Sequence, residues 1–395
     1  MLITISNAPR EYSWGSPTLI PALEGRSPSG ATEAEIWYGD HPGSPSQTSD
    51  GRTLDAVLAA AGEQPLPYLL KVLAAGMSLS IQAHPSKAEA VEGYAREEAA
   101  GTPRDAGERT YRDDNHKPEI IVALSDPFRA LVGLRPLDRT RGLVAALGAG
   151  PGPSALAARL TGDDAPSLLR GVLQWVLSGT AQTEVDDIVR AIGAADNDEF
   201  TQEIDVLRRI AADFPGDAGV VVALLMNLVV LRPGQALFAP AGVLHAYQDG
   251  LGVELMAASD NVLRGGLTPK HVDVSELLRI VDTTPAEAPV IEPERAEDGD
   301  VYDVGVPDFS LARLEVTRAH RRRIEVTGPT IALVTRGELT VTGREGSVRV
   351  DAGRAAFAGA DESELLFDGD GEVFIARPGA VRDTPKERQE GSIRH

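Results

Sequence analysis

The spacing of apolar residues predicts a strand-rich beginning to the chain. In the first ~135 residues, short apolar runs end at proline, glycine or polar turns, as buried and half-buried strands do. These runs are 2–6, 68–74, 79–83 and 119–124. Helical spacing predicts two helices, over 53–61 and 86–100. Ser86 is placed to cap the second helix, with Glu89 three residues later.

A helical region follows, between about residues 137 and 214. Apolar residues there recur every three or four positions, as in Leu143 and Leu147 or in Val185, Ile188 and Ile192. Breaks with aspartate and glycine separate the runs, so the pattern predicts four or five short helices that pack and shield. The next run, 220–226, fits either a strand or a short helix.

Strands return after Pro215 and dominate the C-terminal part. A Pro/Glu-rich stretch, 285–299, predicts a linker, and closely spaced strands with glycine-centred turns then indicate a sandwich or barrel. These strands are 322–326, 330–335, 338–342, 347–350, 355–358 and 373–377. The strand-turn-strand pattern of 229–241 recurs at 347–359, by duplication or by chance. The second unit has no histidine, so a copy would have lost any metal.

Composition narrows the possible functions. A chain of 395 residues accommodates two or three domains. Its net charge of −21 argues against nonspecific nucleic-acid binding and against attachment to anionic membranes. Because cysteine is absent, disulfides, thiolate nucleophiles and cysteine-ligated metal sites are excluded. Neither a secretory signal nor a membrane-spanning run is evident, which predicts a cytoplasmic protein.

Three histidine-containing segments carry candidate chemistry: 79–85, 111–119 and 240–247. Strand alternation puts Ser80, Gln82 and His84 on one face, and puts His245 and Tyr247 on another. Two imidazoles, one carboxylate and one amide oxygen would suit Zn²⁺. Each segment, taken alone, also fits a polar strand edge or a solvated loop, and spacing does not establish that the three converge.

The same segments carry a family resemblance. YRDDNHKPE at 111–119 and HAYQDGLGVELMAASDNVLRGGLTPK at 245–270 resemble the two signatures of the type I mannose-6-phosphate isomerase (phosphomannose isomerase) family of cupins. Shorter blocks in family order are YSWGS at 12–16, EIWYGDHP at 35–42, PYLLKVL at 67–73 and SIQAHP at 80–85. The chain departs from the second signature at Gln248 and Gly265, where the chemistry needs no particular side chain. Close matches cover about residues 10–125 and 215–285.

The resemblance implies a set of site residues. One zinc per chain would be bound by Gln82, His84, Glu119 and His245. Arg264 would be the catalytic arginine. The general base is left open among Lys117, Glu254, Asp260 and His116. Substrate-binding residues would be Trp14, Lys71, Ser80, Tyr247 and Lys270, although Trp14 could equally be a core residue. The cations among these residues supply a local positive field for an anionic substrate despite the acidic total.

The resemblance also implies the architecture: a mainly β protein whose cupin domain, a double-stranded β-helix, is interrupted by helices. The predicted domains are 1–137 plus 216–284 for the catalytic cupin, 138–215 for the helical insertion, and 285–395 for a second, degenerate jelly roll.

The implied reaction interconverts D-mannose 6-phosphate and D-fructose 6-phosphate through a cis-enediol, feeding mannose metabolism and GDP-mannose synthesis. We expect a monomer that binds a small sugar phosphate, and no nucleic acid or membrane. Another metal-dependent cupin enzyme, such as an oxygenase or epimerase, and a catalytically inactive sugar-binding cupin remain the alternatives. A Gln ligand argues against the oxygenase, and the retained Arg264 argues against an inactive protein.

Overall fold

The computed structural model describes residues 1–296 and 299–379. The described strands are β1 (Leu2–Ser6), β2 (Glu35–Tyr38), β3 (Gln47–Thr48), β4 (Tyr68–Ala75), β5 (Ile81–Ala83), β6 (Glu119–Ala123), β7 (Phe128–Leu134), β8 (Met226–Leu231), β9 (Ala236–Ala239), β10 (His245–Ala257), β11 (Leu263–Gly266), β12 (Val290–Ile291), β13 (Glu294–Ala296), β14 (Gly299–Tyr302), β15 (Ser310–Val316), β16 (Arg322–Glu325), β17 (Thr330–Thr342), β18 (Ser347–Asp351), β19 (Arg354–Ala358) and β20 (Glu364–Arg377).

The described helices are α1 (Leu19–Leu23), α2 (Leu54–Ala61), α3 (Lys87–Ala100), α4 (Leu137–Ala146), α5 (Pro151–Arg159), α6 (Ala165–Leu177), α7 (Gln182–Ala194), α8 (Thr201–Asp213), α9 (Gly219–Leu225) and α10 (Val274–Ile280). A 3₁₀ turn, Asp198–Phe200, precedes α8. Ser86 and Glu89 form the predicted reciprocal cap of α3. Among the described residues, no helix combines the length and hydrophobicity needed to cross a bilayer.

The first β unit is built around the long strand β10. The C-terminal half of β10 pairs antiparallel with β4 and β6, and its N-terminal half pairs with β5 and β7. A register shift between Tyr247 and Asp249 marks the change of partners. Strands β2, β8, β9, β11 and β12 extend this unit. One continuous strand therefore contributes side chains to two walls of the same unit.

The second β unit contains the C-terminal strands and two strands from the start of the chain. In it, β1 pairs with β19, Leu2 opposite Ala358, and β3 pairs with β1. This differs from the predicted domain 1–137, which assigns residues 2–6 and 47–48 to the other unit. The pairing has a physical reason, because β1 covers an edge of β19 that would otherwise expose unpaired peptide groups.

The two β units share one hydrophobic core. Buried side chains from both pack together, among them Tyr68 and Ile120 from the first unit and Phe357 and Phe374 from the second. The Tyr68 hydroxyl also donates to the carbonyl oxygens of Pro329 and Ala376. The second unit therefore supports β4 of the first directly.

Five helices, α4 to α8, lie between residues 137 and 213, where the spacing of apolar residues predicts four or five short helices. The ambiguous run 220–226 forms α9, whose seven residues are all buried. Because no side of α9 faces water, its sequence lacks the polar stripe that distinguishes a helix from a buried strand. Phe214, just after α8, reaches the cavity described below.

Two C-terminal predictions differ in detail from the structure. The segments 330–335 and 338–342 form one strand, β17, with a register shift between Val334 and Arg336. The predicted linker 285–299 contains the short strands β12 and β13. The strand-turn-strand units at 229–241 and 347–359 both turn at a positive-φ glycine, Gly234 and Gly353.

Candidate metal centre and active site

A cavity of about 460 Å³ lies between the walls of the first β unit. Six strands direct side chains into it: β2, β4, β5, β6, β10 and β11. Its lining includes most of the predicted site residues, namely Trp14, Lys71, Ser80, Gln82, Lys117, Glu119, His245, Tyr247, Glu254, Arg264 and Lys270. Segments far apart in sequence therefore converge on one space.

Three buried side chains form a metal-ligating group in the wall of this cavity. The ligand atoms of His84, Glu119 and His245 all lie within 4.8 Å of one another. Nε2 of His245 is 3.1 Å from one Glu119 oxygen, and Nε2 of His84 is 3.4 Å from the other. Both imidazoles thus face the same carboxylate.

Main-chain carbonyls fix the orientation of both imidazoles. Nδ1 of His84 donates to the Asn261 carbonyl at 2.7 Å, and Nδ1 of His245 donates to the Val243 carbonyl at 3.1 Å. In each ring the proton is held on Nδ1, so Nε2 carries the lone pair. Burial lowers the pKa of His84 to about 4, which keeps this ring neutral. Its buried Nε2 makes no hydrogen bond, as expected of a nitrogen that receives a metal ion.

Gln82 supplies the fourth polar group of the predicted set. It lies opposite His245 across β5 and β10, and opposite Arg264 across β5 and β11. Its Nε2 donates to the Ser80 hydroxyl at 3.1 Å, which leaves Oε1 available as an acceptor. Two imidazole nitrogens, a carboxylate and an amide oxygen fit a zinc ion in chemistry.

Lys117 balances the charge of Glu119. Its Nζ lies 2.7 Å from a Glu119 oxygen, and both side chains are buried. Although burial raises the pKa of Glu119, the facing groups, first among them the charge of Lys117, outweigh that effect and hold this pKa well below its usual range. The carboxylate is therefore ionised and ready to bind a cation at neutral pH.

A second buried cluster lies beside the metal-ligating group, on the neighbouring strands β4 and β10 of the same sheet. Lys71 lies 3.0 Å from Glu254 and 3.6 Å from Glu35, and its Nζ sits 5.2 Å from the ring centre of Trp37. Burial and the charges of Glu119 and Glu35 raise the pKa of Glu254, more than Lys71 lowers it. The neighbouring Tyr247 has a pKa raised well above its usual value, first by burial. A buried carboxyl group with a raised pKa beside a cation in a cleft is typical of an active site.

Cations without carboxylate partners mark another end of the cavity. Arg264 is half-buried and Lys270 lies at the exposed rim, and within the described part of the chain neither makes a salt bridge. Burial and the charge of Arg112 lower the pKa of Arg264, which still remains a cation at working pH. Unpaired cations in an acidic protein indicate a place for an anion.

A strained turn holds these cations in place. Among the described residues, Leu267 is the one non-glycine residue with positive φ, at 56°. The carboxylate of Asp217 accepts from the amide of Gly219, at the start of α9, and from the amide of Thr268, directly after Leu267. Strain of this kind persists where the surroundings impose it, and here it fixes the segment that carries Arg264 and Lys270.

Besides the fully buried His84, two predicted residues are absent from the lining of the cavity. His116 pairs with Asp308 at 2.8 Å, and the exposed Asp260 pairs with His41 at 3.2 Å. His116 lies outside the cavity because side chains alternate along an extended chain. Lys117 and Glu119 face the cavity, so His116 points away from it. We therefore remove both from the candidates for the general base. Trp14 lines the cavity and also packs on the adjacent core, so both of its predicted roles fit.

Sequence reasoning missed Glu35, Trp37, Asp217, Phe214 and Asn261. A signal existed for the first two, because alternation in β2 puts them on one face and register places Trp37 opposite Lys71. No comparable local signal marks the other three, which act through contacts between distant segments.

The chain is similar in sequence to known proteins. Residues 2–137 match the family model "Phosphomannose isomerase type I, catalytic domain". The mannose-6-phosphate isomerase of Salmonella typhimurium is 35% identical over 387 residues, covering 93% of this chain and 97% of that protein. The mannose-6-phosphate isomerase of Rattus norvegicus is 31% identical, and the match covers 84% of this chain and 85% of that protein.

Solved structures give the same result. The crystal structure of mannose 6-phosphate isomerase from Salmonella typhimurium bound to its substrate and to zinc superposes with a TM-score of 0.84 at 31% identity. It covers 96% of this chain and 100% of that one. A zinc-bound holo structure of mannose 6-phosphate isomerase matches with the same TM-score and coverage.

Proposed function

Since the chain belongs to the type I mannose-6-phosphate isomerase family, we propose that its cavity interconverts D-mannose 6-phosphate and D-fructose 6-phosphate. The observation that carries this function is the buried His84–Glu119–His245 group beside the unpaired Arg264, in one cavity. The mainly β fold with its helical insertion, predicted as a cupin, is confirmed.

The metal would be held by Gln82, His84, Glu119 and His245, one zinc per chain. The unpartnered Nε2 of His84 and the ionised Glu119 support this set. When bound, zinc supplies a Lewis acid that polarises the substrate oxygens. The protein's own part is to keep both imidazoles neutral and aimed, through the carbonyls of Asn261 and Val243.

The reaction needs a group that removes a proton from C2 of the aldose and returns it to C1. Of the predicted bases, Lys117 and Glu254 line the cavity. Lys117 is engaged with Glu119, whereas Glu254 has a raised pKa and contacts Lys71. A carboxylate with a raised pKa is a better proton acceptor than an ordinary carboxylate. We therefore assign the base to Glu254, with Lys71 balancing its charge.

Arg264 and Lys270 can each stabilise a different negative charge of the substrate. Arg264 lies beside Gln82 in the sheet, close to the metal-ligating group, so its guanidinium can stabilise the developing enediolate. Lys270 lies at the rim and can meet the phosphate as the substrate enters. Ser80, Tyr247 and Trp14 complete the wall that surrounds the sugar.

The function is tested by turnover on two sugars. We expect the zinc-loaded protein to isomerise mannose 6-phosphate to fructose 6-phosphate. Free mannose should have a far lower kcat/KM, because the phosphate neutralises cations that otherwise stay unpaired in the cavity. A coupled assay that follows product formation measures both. Equal kcat/KM for the two sugars would contradict the assigned phosphate contact.

Further measurements on the same zinc-loaded protein distinguish the alternatives. An inactive sugar-binding cupin would bind the sugar phosphate in calorimetry without turnover. An oxygenase would consume oxygen, and an epimerase would yield glucose 6-phosphate in place of the ketose. Any of these results would overturn the isomerase assignment.

Glu254→Gln is expected to lower kcat by at least about a hundredfold, because a positioned general base contributes on the order of 10²–10⁴ in rate. The base must be ionised, so activity should fall as pH drops through the pKa of Glu254. Since burial raises that pKa, the acidic limb should lie above the usual carboxyl range. Stopped or continuous assays of kcat against pH measure it.

The matched control is Glu362→Gln, which changes an equally buried glutamate in the second β unit, away from the cavity. It should keep both kcat and the acidic limb. Wild-type kcat in Glu254→Gln would assign the base to another group, first to Lys117.

We further propose a monomeric, cytoplasmic enzyme. Among the described residues the large exposed hydrophobic side chains are Val91, Val230 and Val290, on α3, β8 and β12, so few large apolar side chains are available for a dimer interface. Sedimentation of the zinc-loaded protein should give one chain per particle, and cell fractionation should place the activity in the cytosol.

A further inference from the structure

Asn261 lies fully buried next to the metal-ligating group, between three separated segments. Its main-chain carbonyl receives the Nδ1 proton of His84 at 2.7 Å. Its own chain continues, three residues later, into Arg264. Its side chain binds the segment 112–115, which leads to Lys117 and Glu119.

The side chain of Asn261 matches that segment group by group. Oδ1 accepts from the amides of Arg112 at 2.7 Å and Asp113 at 3.3 Å. Nδ2 donates to the carbonyls of Asp113 and Asn115, both at 2.8 Å, and lies 3.2 Å from an Asp113 carboxylate oxygen. Only an amide offers both an acceptor and two donors in this arrangement.

We propose that Asn261 is a positioning residue for the metal centre. It ties the carbonyl that orients His84 to the segment that delivers Lys117 and Glu119, so that two ligands are placed by one buried side chain. Ser259 strengthens this connection. Its hydroxyl donates to the Asp113 carboxylate at 2.7 Å and accepts from the main-chain N–H of Asn261 at 3.2 Å. This inference rests on the proposed zinc site.

Asn261→Asp tests the tie with little change in shape. The new oxygen would face two carbonyls and the Asp113 carboxylate, so the segment 112–115 should separate from its clamp. Partners beyond the direct ligands typically affect metal affinity about 10–100-fold, and we expect a loss in that range. Competition with a chromophoric chelator measures the zinc affinity, and the Co²⁺-loaded variant should show a changed visible spectrum.

Asn7→Asp is the matched control. The Asn7 amide also donates to two main-chain carbonyls, those of Trp37 at 3.1 Å and Ser44 at 2.8 Å, but it touches no ligand. It should lower the melting temperature while leaving zinc affinity and the Co²⁺ spectrum unchanged.

Asn261→Ser removes the amide without adding a charge, and it should weaken zinc binding as Asn261→Asp does.

A measurement on the unmodified protein covers the case in which neither variant folds. If Asn261 links the segment to the metal, zinc binding should slow hydrogen exchange at the amides of Arg112 and Asp113. The segment bonded to Asn7 should exchange equally with and without zinc.

The outcomes separate this inference from the function on which it rests. Wild-type protein that binds no zinc would overturn the proposed zinc site itself. If the wild type binds zinc, the positioning role is overturned by wild-type affinity in folded Asn261 variants. Where the variants do not fold, the positioning role is overturned if hydrogen exchange at the amides of Arg112 and Asp113 is the same with and without zinc.

Discussion

Replacing Arg264 with alanine is expected to lower kcat by at least about a hundredfold while zinc content and melting temperature stay near the wild-type values. The guanidinium makes no salt bridge in the described part of the chain, so its removal leaves no buried carboxylate unpaired. It lies across the sheet from Gln82 and remains charged at working pH. Charge that develops only on the enediolate would lose its stabilising donor, which affects kcat more than KM.

Steady-state kinetics on metal-loaded protein measure this effect, with Arg129→Ala as the control. Arg129 is a partly buried arginine paired with Asp249 outside the cavity, and its loss should spare kcat. An Arg264→Ala variant with raised KM and unchanged kcat would assign this arginine to the phosphate alone. Zinc lost together with the arginine would place its role in the metal centre.

Removing a metal ligand should abolish activity together with zinc. His245→Ala and Glu119→Ala each delete one of the four proposed ligand groups, and each of these side chains lies in the group with His84. Glu119→Ala also leaves the buried Lys117 without its partner, so it should lower the melting temperature more than His245→Ala does. Metal content by elemental analysis, melting temperature and turnover measure the three effects.

The control for this pair is His320→Ala, which changes an exposed histidine of the second β unit and should keep zinc and activity. Strong chelators should inactivate the wild-type enzyme, and added Zn²⁺ should restore it. Full activity in metal-free protein, or in His245→Ala, would contradict the proposed centre.

Much of the site can be predicted because strand alternation is a local property. Spacing alone places Ser80, Gln82 and His84 on one face, and the Gln82–Ser80 hydrogen bond agrees with that placement. The same alternation over residues 116–119 separates His116 from Lys117 and Glu119, so the sequence contains the reason to exclude that histidine. The ligand set itself follows from the family resemblance.

What could not be predicted depends on contacts between distant segments. No local pattern in the sequence predicts that Asp217, just after the helical insertion, binds the turn at Leu267 and Thr268. The raised pKa of Glu254 likewise follows from burial and from Glu35 and Glu119 on other strands. The domain boundaries 138–215 and 285–395 remain predictions; α4 to α8 lie between residues 137 and 213, and β13 to β20 lie after residue 285.

The pairing of β1 with β19 also determines when the first strand of the chain can reach its native position. During synthesis a strand made early, Leu2–Ser6, leaves the ribosome long before Arg354–Ala358 exists to receive it. Contacts of such long range fold slowly, and an unpaired strand edge invites association with other chains. A nascent chain cut before β19 would leave β1 with β3 alone as its described partner. Separating the C-terminal unit from the rest of the chain would therefore leave β1 without β19, the strand with which it forms most of its residue pairs.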